Sequence, residues 1–287
     1  MAYRRSLGLR NLMGGINTEM VANGGFASAV TSWTANATAS LSNEGSGQAG
    51  NCLRVTETGS AAVGQAYQAI TTKIGHLYKF TGYFKKGTAD SGKFLIGTTS
   101  AGGGTVLYDS GALTDAAWAQ KTAYFVATAT TTYIVCESTD ATAGEYSDFD
   151  TITLVCQSRS YQDVFRYSQL KFYTGSQPAT PQLAPTGTLV CTMNNGGAGM
   201  TFDDFVLGVL QKPAGETWNG VCEAAGGTVG WARLSHVGDS GADSDTEARA
   251  DFRVSTSGAE MNFESVAWGG GSTQSISSLP ITLPMSA

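Results

Sequence analysis

From residue 21 onward, the chain is a succession of short runs rich in β-branched and aromatic residues, separated by clusters of Gly, Asn, Asp and Ser. Such runs are typical of strands joined by turns. At least seven of them within roughly 135 residues predict an antiparallel β-sandwich or jelly roll. The seven runs lie at 53–56, 64–70, 77–85, 93–98, 121–128, 131–138 and 149–155.

The run at 77–85 alternates as a strand with one buried side should, because successive side chains of a strand point to opposite faces. We expect its aromatic face to lie in a core and its polar face to meet water. The aromatic face holds Tyr78, Phe80, Gly82 and Phe84, and the polar face holds Lys79, Thr81, Tyr83 and Lys85.

A stretch that contains three prolines opens the second half of the chain. Pro178, Pro181 and Pro185 lie between two apolar runs, 170–173 and 188–193. Because proline fixes φ and lacks an amide donor, this stretch predicts a strand, an extended connector and a second strand. Later runs predict a second antiparallel β domain, and they lie at 202–211, 217–224, 228–237, 248–256, 259–268 and 275–284.

The predicted fold class is therefore all-β, with two antiparallel β-sandwich or jelly-roll domains and one short N-terminal helix. The helix is predicted at 6–13, followed by Gly14 and Gly15 as a stop. It is too short to be stable alone, so it must pack on something. The predicted organisation is an N-terminal arm at 1–19 that belongs with the C-terminal domain, a jelly roll at 20–156, a polar linker at 157–169 and a β domain at 170–287.

Charged residues make up only 14% of the chain, and the formal net charge is -6. The surface must therefore be largely Thr, Ser, Asn, Gln and Gly, which suits a protein that faces water or packs in a polar assembly. We expect no nucleic-acid partner, because attraction to a phosphate backbone needs a basic patch. The one dense group of basic residues, Arg4, Arg5 and Arg10, is either a solvated tail or an arm that docks on an acidic partner surface.

Targeting and cysteine patterns add two expectations. No run of about 18 apolar residues exists, so no transmembrane helix is predicted, and the N-terminal apolar stretch is too short and broken for a signal peptide. The five cysteines show no CxxC pair and no metal spacing. We expect buried free thiols and synthesis in a reducing cytosol.

Sequence motifs for enzymatic chemistry are scarce. Neither His76 nor His236 lies in a recognisable catalytic motif, and no HExxH, GxSxG or Walker motif is present. We therefore expect no enzymatic activity, with a glycan hydrolase as a third reading that would need two acids in an aromatic-lined groove. A loop rich in acids at 239–247 could bind calcium, but a solvated loop is the preferred reading. The paired or clustered acids are Asp148 with Asp150, Asp203 with Asp204, and Asp239, Asp243, Asp245 and Glu247.

Several ordered motifs in the first half define a resemblance. They are NGGF at 23–26, Trp33, CLRVT at 52–56, GHLYKF at 75–80, Trp118, YFVA at 124–127 and FDTITL at 149–154. In this order the motifs resemble the jelly-roll carbohydrate-binding modules found beside bacterial glycan-degrading enzymes, over roughly residues 20–156. The resemblance implies a jelly-roll fold and the capacity to bind a glycan.

The resemblance also implies two kinds of site. Asp150, with groups near the N-terminal turn such as Asn23, would hold a structural calcium ion, although Thr151 replaces the second acid often found there. The alternative is that Asp150 caps a turn or bonds backbone amides. Sugar would stack on exposed aromatic rings, and Tyr83 is preferred because its strand neighbours are polar; the alternative for each ring is a place in the core. The candidates are Trp33, Tyr67, Tyr83, Tyr108 and Trp118.

A second resemblance covers residues 1–15 and 165–287. Its strings are LRNL at 9–12, LKFYTGSQPA at 170–179, APTGTL at 184–189, WNG at 218–220, GWARL at 230–234 and ITLP at 281–284. They resemble a family of small structural proteins of tailed bacteriophages. In that family the helix and the Y-x-G-x-Q-P-A string lie close together, so the jelly roll is predicted to be an insertion, which is tolerable because loop-closure entropy grows slowly with length.

This resemblance implies a non-enzymatic structural protein on the outer surface of a tailed phage virion, made in the host cytoplasm. The expected position is a capsid decoration or head fibre first and a tail accessory second. The expected partners are other virion proteins, such as major capsid or tail proteins, and further copies of the chain. The alternative function is a glycan-binding protein that recognises host cell-surface carbohydrate. No cofactor is required in either case, and structural calcium is possible.

Overall fold

A computed structural model of the chain describes residues 4–13, 18–59, 63–102, 104–140, 142–158, 160–203, 209–279 and 281–282. The chain divides into two compact units. The composite unit is formed by Met1–Ile16 together with Ser158–Ala287, and the jelly-roll unit is Asn17–Gln157. The described elements are two short helices and 21 strands, with nearly all strand pairs antiparallel, so the all-β class predicted from the sequence is confirmed.

The composite unit begins with strand β1 (Arg4–Arg5) and helix α1 (Leu7–Met13). Ser6 caps the helix, because its Oγ accepts a hydrogen bond from the Leu9 N–H (3.1 Å). The same hydroxyl accepts from the Arg249 N–H (2.9 Å) and donates to the Glu247 carbonyl (2.6 Å). Leu9 is fully buried, so this short helix is held by tertiary packing, as its length requires. The predicted stop at Gly14 and Gly15 lies outside the described residues.

Ten strands form the jelly-roll unit. The first sheet has the order β2-β5-β10-β7-β8, and the second sheet has the order β3-β4-β11-β6-β9. The strands are β2 (Thr34–Ala35), β3 (Ala39–Glu44), β4 (Cys52–Glu57), β5 (Gly64–Thr71), β6 (Leu77–Lys86), β7 (Ser91–Gly97), β8 (Val106–Asp109), β9 (Ala119–Val126), β10 (Thr131–Thr139) and β11 (Tyr146–Cys156).

All seven strands predicted for this unit are present, within a few residues of their predicted bounds. The three unpredicted strands are β2, β3 and β8, and each lies at an edge of a sheet. An edge strand has one ladder of hydrogen bonds and a smaller buried face, so its sequence carries a weaker apolar pattern. Strand β3, with the sequence ASLSNE, has a single large apolar residue, Leu41.

The two sheets pack face to face through aromatic rings. The Phe94 ring lies 5.1 Å from that of Phe80 and 5.3 Å from that of Phe149, between centroids. The alternation predicted for 77–85 is confirmed, because the aromatic face of β6 is buried and the residues of its polar face are half-buried. Gly82 belongs to the buried face and lies against the Phe80 and Phe94 rings.

The rest of the composite unit contains α2 and ten strands. Its sheet has the order β1-β17-β16-β12-β13-β15-β20, with β18 on β17 and β19 on β16, while β14 and β21 pair separately. The elements are α2 (Tyr161–Val164), β12 (Ser168–Thr174), β13 (Leu189–Asn195), β14 (Val209–Leu210), β15 (Trp218–Val221), β16 (Gly227–His236), β17 (Arg249–Ser255), β18 (Met261–Asn262), β19 (Ala267–Trp268), β20 (Thr273–Ile276) and β21 (Ile281–Thr282).

The proline-containing stretch is a strand, a connector and a strand, as predicted: β12 pairs with β13, and the prolines lie between them. The connector is fixed from the side by arginines. The Arg249 guanidinium donates to the carbonyls of Pro181 (3.3 Å) and Gln182 (3.1 Å). These bonds hold an extended segment that has no ladder of its own.

Two predictions for the composite unit are wrong or incomplete, and two others lie partly outside the described residues. The predicted linker at 157–169 contains α2, whose Ser160 cap accepts from the Asp163 N–H (3.0 Å), and Tyr161, Val164 and Phe165 are buried in the core. Their i, i+3, i+4 spacing is helical, but the run is too short to show a period. The predicted strand at 259–268 is two short strands, β18 and β19. Residues 204–208, 280 and 283–284 of the other predicted runs, Asp204 among them, lie outside the described residues.

No helix in the described ranges has the length and apolar character needed to cross a membrane.

Candidate functional site

Two tyrosines project side by side from the outer face of the first sheet. On β5 and β10 the even-numbered residues Ala66, Ile70 and Ile134 lie in the core, so Tyr67 and Tyr133 point outward. Their rings are 6.2 Å apart between centroids at 62°, an edge-to-face contact, and both side chains are half-buried. Each ring therefore keeps part of its surface open to a ligand.

A buried polar cluster lies next to this pair on the same face. Glu137 is cross-strand from both Gln65 and Lys93. Its carboxylate accepts from Gln65 Nε2 (2.7 Å) and pairs with Lys93 Nζ (3.2 Å). The Glu137 residue is only 4% exposed, because the segment after β7 folds over it.

That covering segment is fixed by two contacts. Gln65 Nε2 also donates to the Ala101 carbonyl (3.5 Å), and Gly102 lies against the Leu95 side chain with a φ of +70°. Leu95 and Val135 are consequently buried although they point away from the core. The covered half of the face serves to anchor the segment, and the tyrosine pair is the open half.

A groove of about 670 Å³ runs beside Tyr67, between β5 and the segment 18–34. Hydroxyl groups of Thr18, Ser32, Thr34 and Thr71 lie along it with the Tyr67 ring. These groups both donate and accept hydrogen bonds. The groove thus combines an aromatic ring face with several neutral polar groups.

Gln68 and Glu19 set the shape of this groove by bonding backbone groups. Gln68 Oε1 accepts from the Ala22 N–H (2.8 Å), and its Nε2 donates to the carbonyls of Ala22 (2.9 Å) and Ser32 (3.1 Å). Glu19 Oε1 accepts from three backbone amides, those of Met20 (3.0 Å), Val21 (2.8 Å) and Leu154 (2.8 Å). The carboxylate oxygen is therefore committed to the fold.

Trp33 and Tyr108 both pack toward the core of the jelly-roll unit. Trp33 is 7% exposed, packs on Phe26 at 5.7 Å and donates from Nε1 to the Asn23 carbonyl (3.3 Å). The Tyr108 ring packs at the edge of the core, 6.3 Å from the ring of Phe80, and burial raises the pKa of its hydroxyl. A ring that stacks on a sugar needs an exposed face. Trp33 has almost none, whereas Tyr108 is half-buried and stays a candidate.

The other three predicted rings do not form one surface. Tyr67 belongs to the first sheet, whereas Tyr83 is half-buried on the outer face of the second sheet, between Asp150 and Gln120. Trp118 is half-buried beside β9, where Nε1 donates to the Ser46 carbonyl (3.2 Å) and Lys85 Nζ lies 5.7 Å from the ring centroid. Tyr83, the preferred candidate from the sequence, therefore lies between polar residues of its two neighbouring strands.

Sequence reasoning missed Tyr133 and Tyr124. Tyr124 is 60% exposed on β9, next to Lys79 across the strand pair. Both were recoverable from alternation, because Ala123, Phe125 and Ile134 fall on the buried faces of their strands. A tyrosine between two core residues of a strand points outward.

Asp150 and Asn23, the residues named for a structural calcium ion, both bond the backbone, which agrees with the alternative role given for Asp150. The Asp150 carboxylate accepts from the amides of Ala49 (2.9 Å) and Thr151 (2.6 Å), and Asn23 Nδ2 donates to the carbonyls of Ala29 (2.9 Å) and Thr31 (2.9 Å). Burial raises the pKa of Asp150, and the amide hydrogen bonds oppose this shift. Among the described residues, no group of three or more His, Cys, Asp or Glu side chains could hold a metal ion.

Asp148, two residues earlier on β11, is paired instead with a cation. Arg54 donates to its carboxylate from Nε (2.8 Å) and Nη2 (3.1 Å), a bidentate ion pair. The two acids share one face, as their spacing predicts, but each has its own partner. This arrangement accounts for both as fold-stabilising groups.

The N-terminal arginines differ in their surroundings. Arg4 Nη1 donates to the carbonyls of Ala179 (2.9 Å) and Pro178, so it ties β1 to the proline connector. Arg5 is exposed and its Nη1 reaches the Tyr161 hydroxyl at 3.5 Å, and Arg10 is exposed on α1. Arg4 is thus a structural residue, and a docking role would rest on Arg5 and Arg10.

The sequence predicts a solvated loop at 239–247, but in the structure Asp239 and Asp243 of this loop bond to other parts of the unit. Asp239 is 5% exposed and forms two hydrogen bonds with Arg249, from Nε (2.7 Å) and Nη2 (2.6 Å). Burial alone would raise the pKa of Asp239, but the Arg249 hydrogen bonds and charge outweigh it, and the net shift is downward. Asp243 accepts from the Ala184 N–H (2.6 Å) and so also holds the connector.

The histidines and cysteines lie inside their units. His76 and His236 are buried; His236 Nδ1 accepts from the Gly238 N–H (3.1 Å), and His76 Nδ1 lies 3.7 Å from Cys156 Sγ. All five cysteines are free thiols, four of them buried and Cys156 half-buried.

The fold is thus a jelly-roll β-sandwich joined to a second β unit, and solved structures of the jelly-roll type resemble it. One is the CBM22-1 xylan-binding domain of Paenibacillus barcinonensis Xyn10C, at 17% identity and a TM-score of 0.39, covering 49% of this chain and 95% of that domain. Another is a family 16 carbohydrate-binding module, at 16% identity and a TM-score of 0.37, covering 47% and 99%.

A third is the enzymatically active domain of tailspike protein 4 from bacteriophage CBA120, at 12% identity and a TM-score of 0.38, covering 48% of this chain and 21% of that one. No protein-family model and no curated protein matches the chain. At these identities and TM-scores, the three structures indicate nothing about a ligand or partner of this chain.

Proposed function

We propose that the jelly-roll unit binds a glycan at the open half of the outer face of the first sheet. The observation that carries this proposal is the Tyr67–Tyr133 pair, which projects from the sheet beside a groove lined with hydroxyl groups. A pyranose ring has an apolar face and a rim of hydroxyls, so it needs an aromatic surface and neutral hydrogen-bonding groups next to each other.

The charge of the site favours a neutral sugar. The groove is lined mainly by Thr, Ser, Tyr and short apolar residues, and Glu19 already accepts three backbone hydrogen bonds through Oε1. The nearby Glu137 and Lys93 neutralise each other under the covering segment. No catalytic pair of acids is placed in this groove within the described residues, so the proposed role is binding and not hydrolysis.

Titration of the full-length protein with a glycan chosen from an array tests this proposal. Tyr67→Ala and Tyr133→Ala should each weaken binding about tenfold or more, because each removes a ring surface at the centre of the site. Tyr83→Ala is the matched control, since it removes a half-buried ring from the outer face of the opposite sheet. All three variants should keep a cooperative thermal transition.

Two results would contradict the proposal that this site binds a glycan. One is an array on which the folded protein retains no glycan. The other is a loss of binding in Tyr83→Ala with none in Tyr67→Ala or Tyr133→Ala, which would move the site to the second sheet.

We further propose that the composite unit attaches the protein to a tailed-phage virion, as a capsid decoration or head fibre first and a tail accessory second. The observation that favours this is the assembly of both ends of the chain into one unit. Leu9 of α1 belongs to the same buried core as Leu170, Phe172 and Trp218, although all three lie in the segment beyond the jelly-roll unit. These are the segments that resemble phage structural proteins.

In this proposal the docking groups are Arg5 and Arg10, the partners are major capsid or tail proteins, and several copies assemble on the particle surface. Quantitative mass spectrometry of purified particles tests it. Hundreds of copies relative to the shell protein support a decoration, and a few to a few dozen support a tail or vertex position. Absence of the chain from particles would contradict the virion role and leave the glycan-binding role standing alone. If the chain is present on particles in many copies, weak binding of glycan by each copy would add up to strong binding of the particle, because linked sites act together.

A further inference from the structure

Cys191 and Cys222 face each other across two neighbouring strands of the composite unit. Strand β13 pairs with β15 with Asn194 opposite Asn219, and the same register continues to Cys191 opposite Cys222. The 30 intervening residues make this a contact between distant parts of the chain. Side chains directly opposite in an antiparallel pair lie on the same face of the sheet.

The backbone hydrogen bonds identify which kind of antiparallel pair this is. The Glu223 N–H donates to the Val190 carbonyl (2.8 Å), one residue outside the pair on each strand. The Cys222 N–H donates to the Ser272 carbonyl (2.9 Å), and its own carbonyl accepts from the Gly271 N–H (3.1 Å), both in the segment that leads into β20. Cys191 and Cys222 thus form a non-hydrogen-bonded pair.

This pair type brings two cysteines within bonding range. Cα atoms of a non-hydrogen-bonded pair are about 4.5 Å apart. Disulfides span Cα separations of about 4.4–6.8 Å. In the reduced protein Cys222 is near enough to Cys191 to raise the pKa of its thiol, and Ser272 Oγ donates to Cys222 Sγ (3.5 Å).

We propose that Cys191 and Cys222 are a disulfide-forming site that is oxidised by low-molecular-weight disulfides such as oxidised glutathione. Cys222 reacts first, because it is 3% exposed against 0% for Cys191 and its neighbour Val221, at the end of the four-residue strand β15, is 63% exposed. Local opening of such a short strand admits the reagent.

The reaction balances as two thiol–disulfide exchanges. Cys222 Sγ, as a thiolate, attacks one sulfur of the reagent and releases one thiol, which takes up the proton that Cys222 lost. Cys191 Sγ then attacks Cys222 Sγ, the second thiol leaves with the Cys191 proton, and the Sγ–Sγ bond forms. Two protein thiols are oxidised, and one reagent disulfide is reduced to two thiols.

Burial and the neighbouring Cys222 raise the pKa of Cys191 to about 12, so Cys191 remains a thiol until the mixed disulfide is in place. The second exchange is then the slow step and should accelerate with pH. The other three cysteines belong to the jelly-roll unit and serve as internal references. This inference is independent of both proposed functions.

Peptide mapping of the full-length protein tests the site. The protein is incubated with oxidised glutathione in urea below its unfolding transition, alkylated, and digested without reduction. We expect the loss of two of the five free thiols, a linked peptide pair that contains Cys191 and Cys222, and reversal by dithiothreitol. Cys222→Ala should yield no linked pair, while Cys136→Ala, the matched buried control in the other unit, should link as the wild type does.

The wild-type map decides the matter even if a variant fails to fold. A protein that keeps all five thiols, a link that joins any other cysteines, or glutathione adducts that never resolve to the Cys191–Cys222 bond would each overturn the inference. A yield that does not rise with pH would contradict the order of the two exchanges.

Discussion

Gly82 shows how a single hydrogen atom in place of a side chain shapes the core of the jelly-roll unit. It lies on the buried face of β6, where a Cβ atom would approach the Phe94 ring to 2.8 Å and the Phe80 ring to 3.0 Å. Its backbone conformation is an ordinary extended one, so the requirement for glycine is steric and not conformational. The two rings occupy the volume that any other residue would need.

Gly82→Ala should therefore destabilise the protein by about 1–3 kcal/mol, the range found for overpacked cores. Urea denaturation followed by tryptophan fluorescence measures the change in the free energy of unfolding. Gly45→Ala is the matched control, because a Cβ at Gly45 meets nothing within 4 Å. Equal stability of the two variants would show that the aromatic core yields without cost.

At the same scale, the sequence predicted which side of a strand a residue occupies better than it predicted what that residue does. Tyr83 and Tyr67 were both identified as outward candidates, and both are half-buried on outer faces. What separates them is the neighbouring side chains: the Tyr67 ring contacts the Tyr133 ring diagonally across the strand pair, whereas Tyr83 lies opposite Asp150 and Gln120. Strand pairing and the covering segment at 98–102 are long-range features, so no local pattern could show them.

At the scale of elements, all the central strands of the jelly-roll unit were predicted, whereas three of its four edge strands were not. Strands such as β6 and β10 are paired on both sides, and their alternation must match a buried face over many residues. Edge strands β2, β3 and β8 lack this constraint. Helix α2 was not predicted because its apolar residues span only five positions, from Tyr161 to Phe165.

Elements without strong pairing are held by arginines. Arg249, on β17, reaches the proline connector through Pro181 and Gln182 and the acidic loop through Asp239. The side chains of Arg249 and Asp239 are 0% and 1% exposed, so both charged groups of this ion pair are shielded from solvent. Removing one member leaves the other buried and uncompensated.

Asp239→Asn should cost about 3–5 kcal/mol of unfolding free energy at pH 7. The pKa of Asp239 is lower in the folded protein than in the unfolded chain, where it is near 3.9. The ionised carboxylate therefore contributes its full stability above the unfolded pKa, and this stability is lost as pH falls through the folded pKa. The difference in unfolding free energy between the wild type and Asp239→Asn should thus decrease below about pH 4. Denaturation curves at neutral and acidic pH measure it.

Asp245→Asn is the control, since this residue belongs to the same loop but is exposed. It should leave stability nearly unchanged at both pH values. A cost for Asp239→Asn that stays constant down to acidic pH would contradict the role given to the ionised carboxylate.

At the scale of the whole chain, each unit has its own core and the jelly-roll unit brings its two ends together. The Met20 N–H donates to the Leu154 carbonyl (3.0 Å), and Glu19 Oε1 accepts from the Leu154 N–H. In the composite unit, α1 packs against α2, on either side of the point where the chain leaves and returns. Both units therefore keep their geometry with a short connection in place of the other.

A variant in which a short Gly/Ser linker replaces residues 14–159 should consequently fold. The buried tryptophans Trp218, Trp231 and Trp268 report on it through fluorescence and near-ultraviolet circular dichroism. Leu9→Ala in the same variant should cost about 2–5 kcal/mol, because Leu9 is fully buried in the composite core. A linker variant without a cooperative transition would show that the composite unit depends on the inserted one.

The hydrogen bond between Met20 and Leu154 bears on how such a chain can change over evolutionary time. A domain whose entry and exit points are neighbours can be exchanged for another β-sandwich through two adjacent chain connections. The composite unit and the domain inserted into it can then change in sequence at different rates. A composite unit of this kind can accept different inserted domains without a change in its own core.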